Sequence, residues 1–431
     1  MRVKRWLRGQ ITKRLYNEKQ VALKSGAFPL APHFAAIDHL GLYLHIPFCR
    51  QICPYCPYNK ELFQAAAAER YTNAVLAEID HYAALVGKRP VTSFYIGGGT
   101  PTTMLQNGLP RILDAIDDAF NLQCSIHMES HPNDLSAANL NTIVDLGVKH
   151  LSIGVEALQD HHLRTLCRPY TAAEATAAIA RAVGKGFQCV NVDLMFALPN
   201  QTHAELAAAV RTLIALGVDQ IAAYPLFSFP YTKWPLLAGR HHYRRYTLLE
   251  KRRMVRVLEQ LCYGAGYERS SVWAFTRAGV PHYCSVTVPL YLGLGASGAS
   301  YLRDIFYLNT FNVGAYCQTL ADGRLPIALS LPLSLRQQMA GWLYWRIYAT
   351  HFKKSDFAER FHTPFDAVYG QYMKPLAALG LLHDSADEIT LTDAGAYWLH
   401  ALQDLFSIDY VSTLWGTART NPWPTEVMLA S

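Results

Sequence analysis

Apolar positions along the chain fall into short runs separated by longer stretches with helical spacing. The runs at 42–46, 91–96, 124–129, 150–156, 188–196 and 219–225 are rich in β-branched and aromatic residues and predict strands. The segments 64–86, 107–119, 135–146, 171–185, 203–216 and 247–265 carry apolar residues at the helical period and predict helices. Gly147, Gly186 and Gly217 follow the third, fourth and fifth of these helices, where a left-handed residue ends a helix most easily. Six strand–helix units in a row predict a parallel sheet with right-handed crossovers. A doubly wound sheet and a partial barrel both satisfy that pattern. The chemically distinctive residues fall at the ends of successive strands, as in α/β barrels, and this favours the barrel. From about Leu331 the pattern turns helical, over 334–349, 355–361 and 364–379. A small hairpin over 381–391 follows, and Thr392 is placed to cap a further helix.

With 431 residues, 51% hydrophobic and 17% charged, the chain can build a large domain and a smaller one. The sequence offers no apolar run of membrane-spanning length. The formal charge of +6 is mild. Much of the excess lies in the first 24 residues, with Arg2, Lys4, Arg5, Arg8, Lys13, Arg14, Lys19 and Lys24. That segment is expected to pack on the body through Trp6, Leu7, Ile11 and Leu15; a basic helix on an anionic surface is the alternative. It lacks the apolar centre of a secretory signal. Nine cysteines, an odd number in a long chain, argue against a disulfide framework and for a cytoplasmic protein.

The segment Gly41 to Lys60, GLYLHIPFCRQICPYCPYNK, concentrates the chemistry. Cys49, Cys53 and Cys56 form a C-x-x-x-C-x-x-C pattern directly after a predicted strand. Thiolates at this spacing can converge on one metal centre from a single loop. Three sulfurs do not close the four-ligand shell of a structural zinc or an ordinary four-iron cluster, so one metal position stays open. A partial zinc site remains the plainer alternative on these residues alone.

The string from Tyr43 to Cys56, Y-L-H-I-P-F-C-x-x-x-C-x-Y-C, resembles the signature of radical S-adenosylmethionine (SAM) enzymes, and specifically their HemN-like branch. The resemblance spans about 38–406. It implies an α/β fold: a partial (β/α)6 barrel of TIM type with a winged-helix-like α+β domain after it. The domains expected are a basic helical extension over 1–37, the barrel over 38–330 and the C-terminal domain and tail over 331–431. It also implies a [4Fe–4S] cluster on Cys49, Cys53 and Cys56, with SAM on the open iron. Reductive cleavage of SAM then gives a 5′-deoxyadenosyl radical, the cofactor carrying the hard chemistry.

The strand ends supply the remaining candidates. Gly97, Gly98 and Gly99, followed by Thr100, let the backbone approach a ligand and expose N–H groups, although a tight turn also explains them. The resemblance assigns this motif to the SAM amino group and adds Tyr43 to the cofactor-binding set. Glu129 ends the third strand, and the family's matching Glu contacts SAM. Glu156 ends the fourth, where the family usually carries Gln. Arg168 matches the family's partner for the SAM carboxylate, a task suited to a planar guanidinium. Cys167 beside it reads as a packed thiol. Asp193 lies inside an apolar strand and needs a partner there; the family places an equivalent Asp near SAM. Ala197 stands where the family has Gly. Tyr224, at the end of the sixth strand, reads as substrate-facing or packed.

Beyond the barrel, the segment 267–300 is expected to face substrate or a second SAM. Gly293, Gly295 and Gly298 form a second glycine-rich stretch, with close packing as the other reading. By resemblance, Trp273, Phe275 and Arg277 line that space. The helix 364–379 has only Lys374 as a basic residue, which argues against nucleic acid. The C-terminal domain reads as a lid, and the Trp- and Pro-rich tail 410–424 as part of the cover. The His pairs 161–162 and 241–242 read as surface.

Three functions compete under the resemblance. The first choice is a two-SAM C-methyltransferase or cyclopropanating enzyme. The alternatives are oxygen-independent coproporphyrinogen III oxidase and a haem chaperone. Tyr58 stands where the oxidase carries a fourth cysteine, and Arg269 and Arg277 are the few cations offered to porphyrinogen carboxylates. His282 and Cys284 are the haem-ligand candidates for the chaperone. Expected partners are an apolar or tetrapyrrole small molecule and an electron donor such as flavodoxin or ferredoxin.

Overall fold

A computed structural model describes residues 21–282 and 289–429. The basic segment up to residue 20 and Cys284 lie outside the described residues.

Six parallel strands form the centre: β1 (Leu40–Ile46), β2 (Pro90–Gly98), β3 (Ile126–Ser130), β4 (Val148–Glu156), β5 (Cys189–Phe196) and β6 (Gln220–Pro225). They lie side by side in chain order with no reversal. A doubly wound sheet reverses at its switch point, so the order is that of a partial barrel. β1 and β5 are buried almost throughout, as parallel strands covered on both faces must be. Helices α1 (Ala65–Val86), α2 (Leu109–Ala119), α3 (Ala137–Asp145), α4 (Asp160–Thr165), α5 (Ala172–Val183), α6 (His203–Ala215) and α7 (Leu248–Gly264) follow the strands. Capping boxes at Thr171–Glu174, Thr202–Glu205 and Thr247–Glu250 fix where α5, α6 and α7 begin.

The sheet continues past both sides of this core. Beyond β6 lies antiparallel β7 (Ala274–Arg277) and then Tyr267–Arg269. Beyond β1 lies β8 (Tyr291–Leu294), parallel to it, followed by the antiparallel strands β9 (Ala299–Leu302), β10 (Ile305–Asn309) and β11 (Ile327–Pro332). The expected second glycine-rich loop is therefore a strand and a tight return. A Cβ on Gly293 would run into the backbone of Ala299. Gly295, at φ +95°, packs against the Tyr71 hydroxyl and the His45 carbonyl.

Helix α8 (Val313–Ala321) still belongs to the barrel side; the C-terminal unit comprises α9 (Leu335–Tyr348), β12 (His351–Lys353), α10 (Lys354–Phe361), α11 (Phe365–Ala378), β13 (Leu382–Asp384) and β14 (Glu388–Leu391). The helix–strand–helix–helix–strand–strand order from α9 onward is that of a winged helix, around Trp342, Phe352, Phe357, Phe361, Phe365 and Tyr369. Thr392 caps α12 (Asp393–Thr420), accepting from the Gly395 N–H at 3.0 Å. This helix absorbs most of the expected tail, 410–424, ending at Thr420. The chain then returns to the main sheet: Glu426–Leu429 pairs with Val21–Lys24, which pairs with β11. Both terminal segments thus give a strand to the sheet of the barrel, which the pattern-based division at 1–37 and 331–431 does not convey.

Candidate functional site

The cysteine loop leaves β1 at the C-terminal mouth of the barrel and is anchored from several sides. The Gly99 and Thr100 N–H groups donate to the Ile46 and Phe48 carbonyls at 2.7 and 2.8 Å. Arg50 reaches Asp134 at 3.1 Å, and Asp134 also accepts from Thr102 at 2.7 Å. Lys60 donates to the Cys56 and Tyr58 carbonyls at 2.6 and 2.9 Å. Buried His45 lies between the Tyr43 hydroxyl and the Asn59 carbonyl, each at 2.9 Å, and burial lowers its pKa to about 4. With that pKa the ring is neutral near pH 7; its Nε2–H donates to the Asn59 carbonyl and Nδ1 is left to accept from the Tyr43 hydroxyl. Asp134, Asn59 and Lys60 are missed by motif reading, because their polar neighbours give no local signal; His45 lies in the quoted motif as the one polar residue between Leu44 and Ile46.

The three glycines after β2 are required by contact. A Cβ on Gly97 would stand 2.7 Å from the Tyr95 ring and 3.0 Å from the Glu129 carboxyl. On Gly98, at φ +117°, it would meet the His45 ring at 2.6 Å. On Gly99 it would lie 2.7 Å from the Phe48 carbonyl and 3.0 Å from Cys49 Sγ. The bare backbone therefore sits directly on the cysteine loop.

Around this seam stand the predicted side chains. Glu129 accepts from the Tyr95 hydroxyl at 2.6 Å and from the Gly98 N–H at 2.9 Å. Asp193 accepts from Asn191 at 2.8 Å and Ser152 at 3.1 Å, with the Tyr224 hydroxyl as a further partner. Tyr224 thus faces the site. Glu156 sits at φ +69° at the end of β4, and Ala197 at φ +57° just after β5. Left-handed backbone at non-glycine residues is unfavourable and concentrates at functional sites. Arg168 donates to Cys53 Sγ at 3.3 Å, to the Tyr170 hydroxyl at 2.7 Å and to the Gly154 carbonyl.

The electrostatics of this mouth are lopsided. Burial raises Glu129 and Glu156 to about 7 and raises Asp193 as well, and Asp193 adds to the shifts of both glutamates. The Arg168 guanidinium offsets part of the shift of Glu156 and of Asp193. Three buried carboxylates beside one guanidinium make a pocket short of positive charge, suited to a cationic ligand. SAM carries an ammonium and a sulfonium, and fits.

The thiols fit a cluster better than a single ion. Burial raises Cys49 to about 12 and raises Cys56. Cys49 Sγ accepts from the Thr100 hydroxyl at 3.5 Å. Among the described residues the three thiols do not form a group whose ligand atoms all lie within 4.8 Å of one another. Sulfurs on one tetrahedral zinc stand about 3.8 Å apart, given zinc–sulfur bonds of about 2.3 Å. A multi-iron cluster holds its cysteines further apart.

Other expected positions lie elsewhere. Gly293 and Gly295 are accounted for by close packing, and the Gly295 N–H donates to buried Glu78 at 2.7 Å. Trp273 and Phe275 are buried; Trp273 packs between Phe196, Tyr397 and His400. Arg277 pairs with Asp219, at the end of the barrel opposite the mouth. Arg269 is held by Glu259 at 2.6 Å and Asp393 at 3.1 Å. His282 approaches His127 and His150 on the early turns of β3 and β4, again away from the mouth. The pair 241–242 is exposed, but His162 is 1% exposed, contrary to the surface reading of the pair 161–162. An aromatic group covers the mouth instead: Trp415 of α12 stands 6.0 Å from Tyr58, 6.5 Å from Tyr231 and 5.8 Å from Phe311, centroid to centroid.

Residues 43–213 match the sequence model of the radical SAM superfamily. The chain is 27% identical over 360 residues to the heme chaperone HemW of Bacillus subtilis, covering 82% of this chain and 95% of that one. It is 30% identical over 274 residues to the heme chaperone HemW of Haemophilus influenzae, covering 60% and 70%. The solved coproporphyrinogen III oxidase HemN of Escherichia coli shares the fold with a TM-score of 0.77, at 21% identity over 89% of this chain and 94% of that one.

Proposed function

This chain belongs to the HemN-like family of radical SAM enzymes, with a [4Fe–4S] cluster and SAM as its cofactors, and from that premise we propose that it cleaves SAM reductively at the barrel mouth and handles a tetrapyrrole there. When bound, the cluster supplies the electron that breaks the SAM carbon–sulfur bond and releases a 5′-deoxyadenosyl radical.

The chain's own residues divide the work. Cys49, Cys53 and Cys56 hold the cluster. The backbone of Gly97 to Thr100, with Glu129, takes the SAM amino group. Arg168 takes its carboxylate with the planar fork that suits it. Glu156, Asp193 and Tyr43 complete the nucleoside side. The observation that carries the reading is the charge imbalance: three carboxylates raised by burial stand at the mouth with Arg168 offsetting only Glu156 and Asp193, and SAM, whose ammonium and sulfonium outweigh its carboxylate, supplies the positive charge the pocket lacks.

For the second ligand, Tyr58, Tyr231 and Trp415, the last backed by buried Phe311, supply aromatic faces at the mouth, apt for a flat macrocycle. The heme-chaperone names of the relatives point to haem in preference to a porphyrinogen. Two features agree. Arg269 and Arg277 are tied to Glu259, Asp393 and Asp219, so neither is free for ring carboxylates. Tyr58 occupies the place of the oxidase's fourth cysteine. The two-SAM methyl-transfer reading falls behind, because its glycines are spent on packing β8 against β1 and β9. Flavodoxin or ferredoxin would serve as electron donor.

Anaerobic incubation of the reconstituted protein with SAM, dithionite and haem tests this reading. Haem-dependent change in the Soret band together with 5′-deoxyadenosine release supports it. 5′-Deoxyadenosine rising only with coproporphyrinogen III, with loss of CO2, replaces it by the oxidase. S-adenosylhomocysteine formation replaces it by methyl transfer.

A further inference from the structure

We propose that His161, His162 and Glu205 form a second metal site, for one divalent ion of the zinc class, on the barrel rim and apart from the cysteine loop. One ligand atom from each of the three lies within 4.8 Å of the other two. His161 Nε2 is 3.0 Å from Glu205 Oε1, and His162 Nε2 is 3.7 Å from Glu205 Oε2. The second distance is too long for a hydrogen bond. Neighbouring ligands on a tetrahedral zinc stand about 3.3 Å apart, given bonds of about 2.0 Å; the His161 Nε2–Glu205 Oε1 distance falls near that value, and His162 brings its ligand atom within 4.8 Å of the other two.

The independent observation is His162 itself. Its side chain is 1% exposed, and neither ring nitrogen has a hydrogen-bond partner. A buried imidazole whose Nδ1 has no partner and whose Nε2 meets only the Glu205 carboxylate, at 3.7 Å, is poorly satisfied, which is costly. A metal on Nε2 removes half of that cost. The rings of His161 and His162 lie 4.0 Å apart, so both present nitrogens to the same side of α4.

Glu205 is held in place for the task. Its Oε2 accepts from the Thr202 N–H at 2.7 Å and hydroxyl at 2.8 Å, in the capping box of α6. That leaves Oε1 to face His161. Two imidazoles and one carboxylate are the donor set of zinc, cobalt or nickel, and leave a coordination position for water. His161, 54% exposed, gives the ion an entry from solvent.

The alternative is a plain ion pair between a protonated His161 and Glu205. The test uses the full chain, tag-free and cluster-loaded, titrated with Zn2+ against a competing chelator and examined by zinc X-ray absorption. The expected result is one zinc per chain with nitrogen and oxygen neighbours at about 2.0 Å. That zinc is expected to be lost in His161→Ala and in His162→Ala. Glu205→Gln keeps the capping box and is expected to bind zinc more weakly with the iron content unchanged, so a folding failure is told apart from a lost ligand. Sulfur neighbours at about 2.3 Å, full binding by the His161→Ala variant, or no uptake at micromolar zinc would each overturn the proposal.

Discussion

Arg168 Nη1 donates to Cys53 Sγ at 3.3 Å. One guanidinium thus borders both the cluster loop and the carboxylates of the mouth. Arg168→Lys keeps the charge and loses the fork. SAM affinity is expected to fall about 10- to 100-fold, the range of one charge-assisted bidentate contact. Equilibrium binding of SAM to the cluster-loaded variant reads this, with iron content as the control. Unchanged affinity would remove Arg168 from the SAM site.

Gly99→Ala places a methyl group 3.0 Å from Cys49 Sγ and 2.7 Å from the Phe48 carbonyl. Backbone cannot yield there as a flexible side chain could. The expected outcome is loss of the cluster's visible absorption and iron in a protein that still unfolds cooperatively. Full iron loading would show that the seam between the glycines and the cysteine loop is looser than it looks.

Glu78 is fully buried between α1, the end of β8, β10 and α8. It accepts from Tyr316 at 2.6 Å, from the Gly295 N–H at 2.7 Å and from Asn309 at 2.6 Å. Burial still wins and raises its pKa from 4.5 to about 7. A carboxyl with a raised folded pKa contributes stability that is complete below its unfolded value and is lost as pH climbs through the folded one. The cluster-free protein should therefore lose stability between pH 4.5 and about 7, by roughly 3 kcal/mol at most from this residue. Urea unfolding at pH 5 and pH 8 measures it. Glu78→Gln should flatten the slope.

Glu259 joins Arg252 at 2.8 Å and Arg269 at 2.6 Å, and Arg269 reaches on to Asp393 at the start of α12. All but Asp393 are largely buried. Glu259→Ala leaves two guanidiniums without their partner and is expected to cost about 3–5 kcal/mol. Chemical denaturation would show it; a loss below about 1 kcal/mol would mean that water relieves the arginines.

Trp415→Ala opens the aromatic group over Tyr58 and Tyr231. Tetrapyrrole affinity is expected to drop by up to about tenfold, the worth of one aromatic pair, while SAM cleavage without tetrapyrrole stays as it was. A Soret titration and a 5′-deoxyadenosine assay separate the two effects.

Much of this was legible before any coordinates. The six expected barrel helices start within two residues of expectation, and for three of them Thr171, Thr202, Thr247 and their glutamates announce the caps locally, whereas the short α4 was not expected. The cysteine loop, the three glycines and the carboxylates of the strand ends are likewise local patterns. The failures have a common cause. YLGLGASG reads as a loop because glycine is scarce in strands; here the neighbouring backbones of Ala299 and His45 demand it. Arg269 and Arg277 looked available because their partners lie far off in the sequence or on another strand. His162 looked exposed because nothing near it announces Glu205 on the next helix but one.

The pairing of Val21–Lys24 with Glu426–Leu429 carries a consequence for synthesis. The first described strand meets its neighbours late: β11, at Ile327–Pro332, offers one edge, and Glu426–Leu429 covers the other only after that. The barrel strands, each next to its predecessor, can associate progressively as they emerge. Until Glu426–Leu429 arrives, Val21–Lys24 keeps one edge open, a template for the wrong neighbour. Its delayed fastening gives the nascent chain a late checkpoint: a protein truncated before Glu426 would keep its barrel and expose that edge.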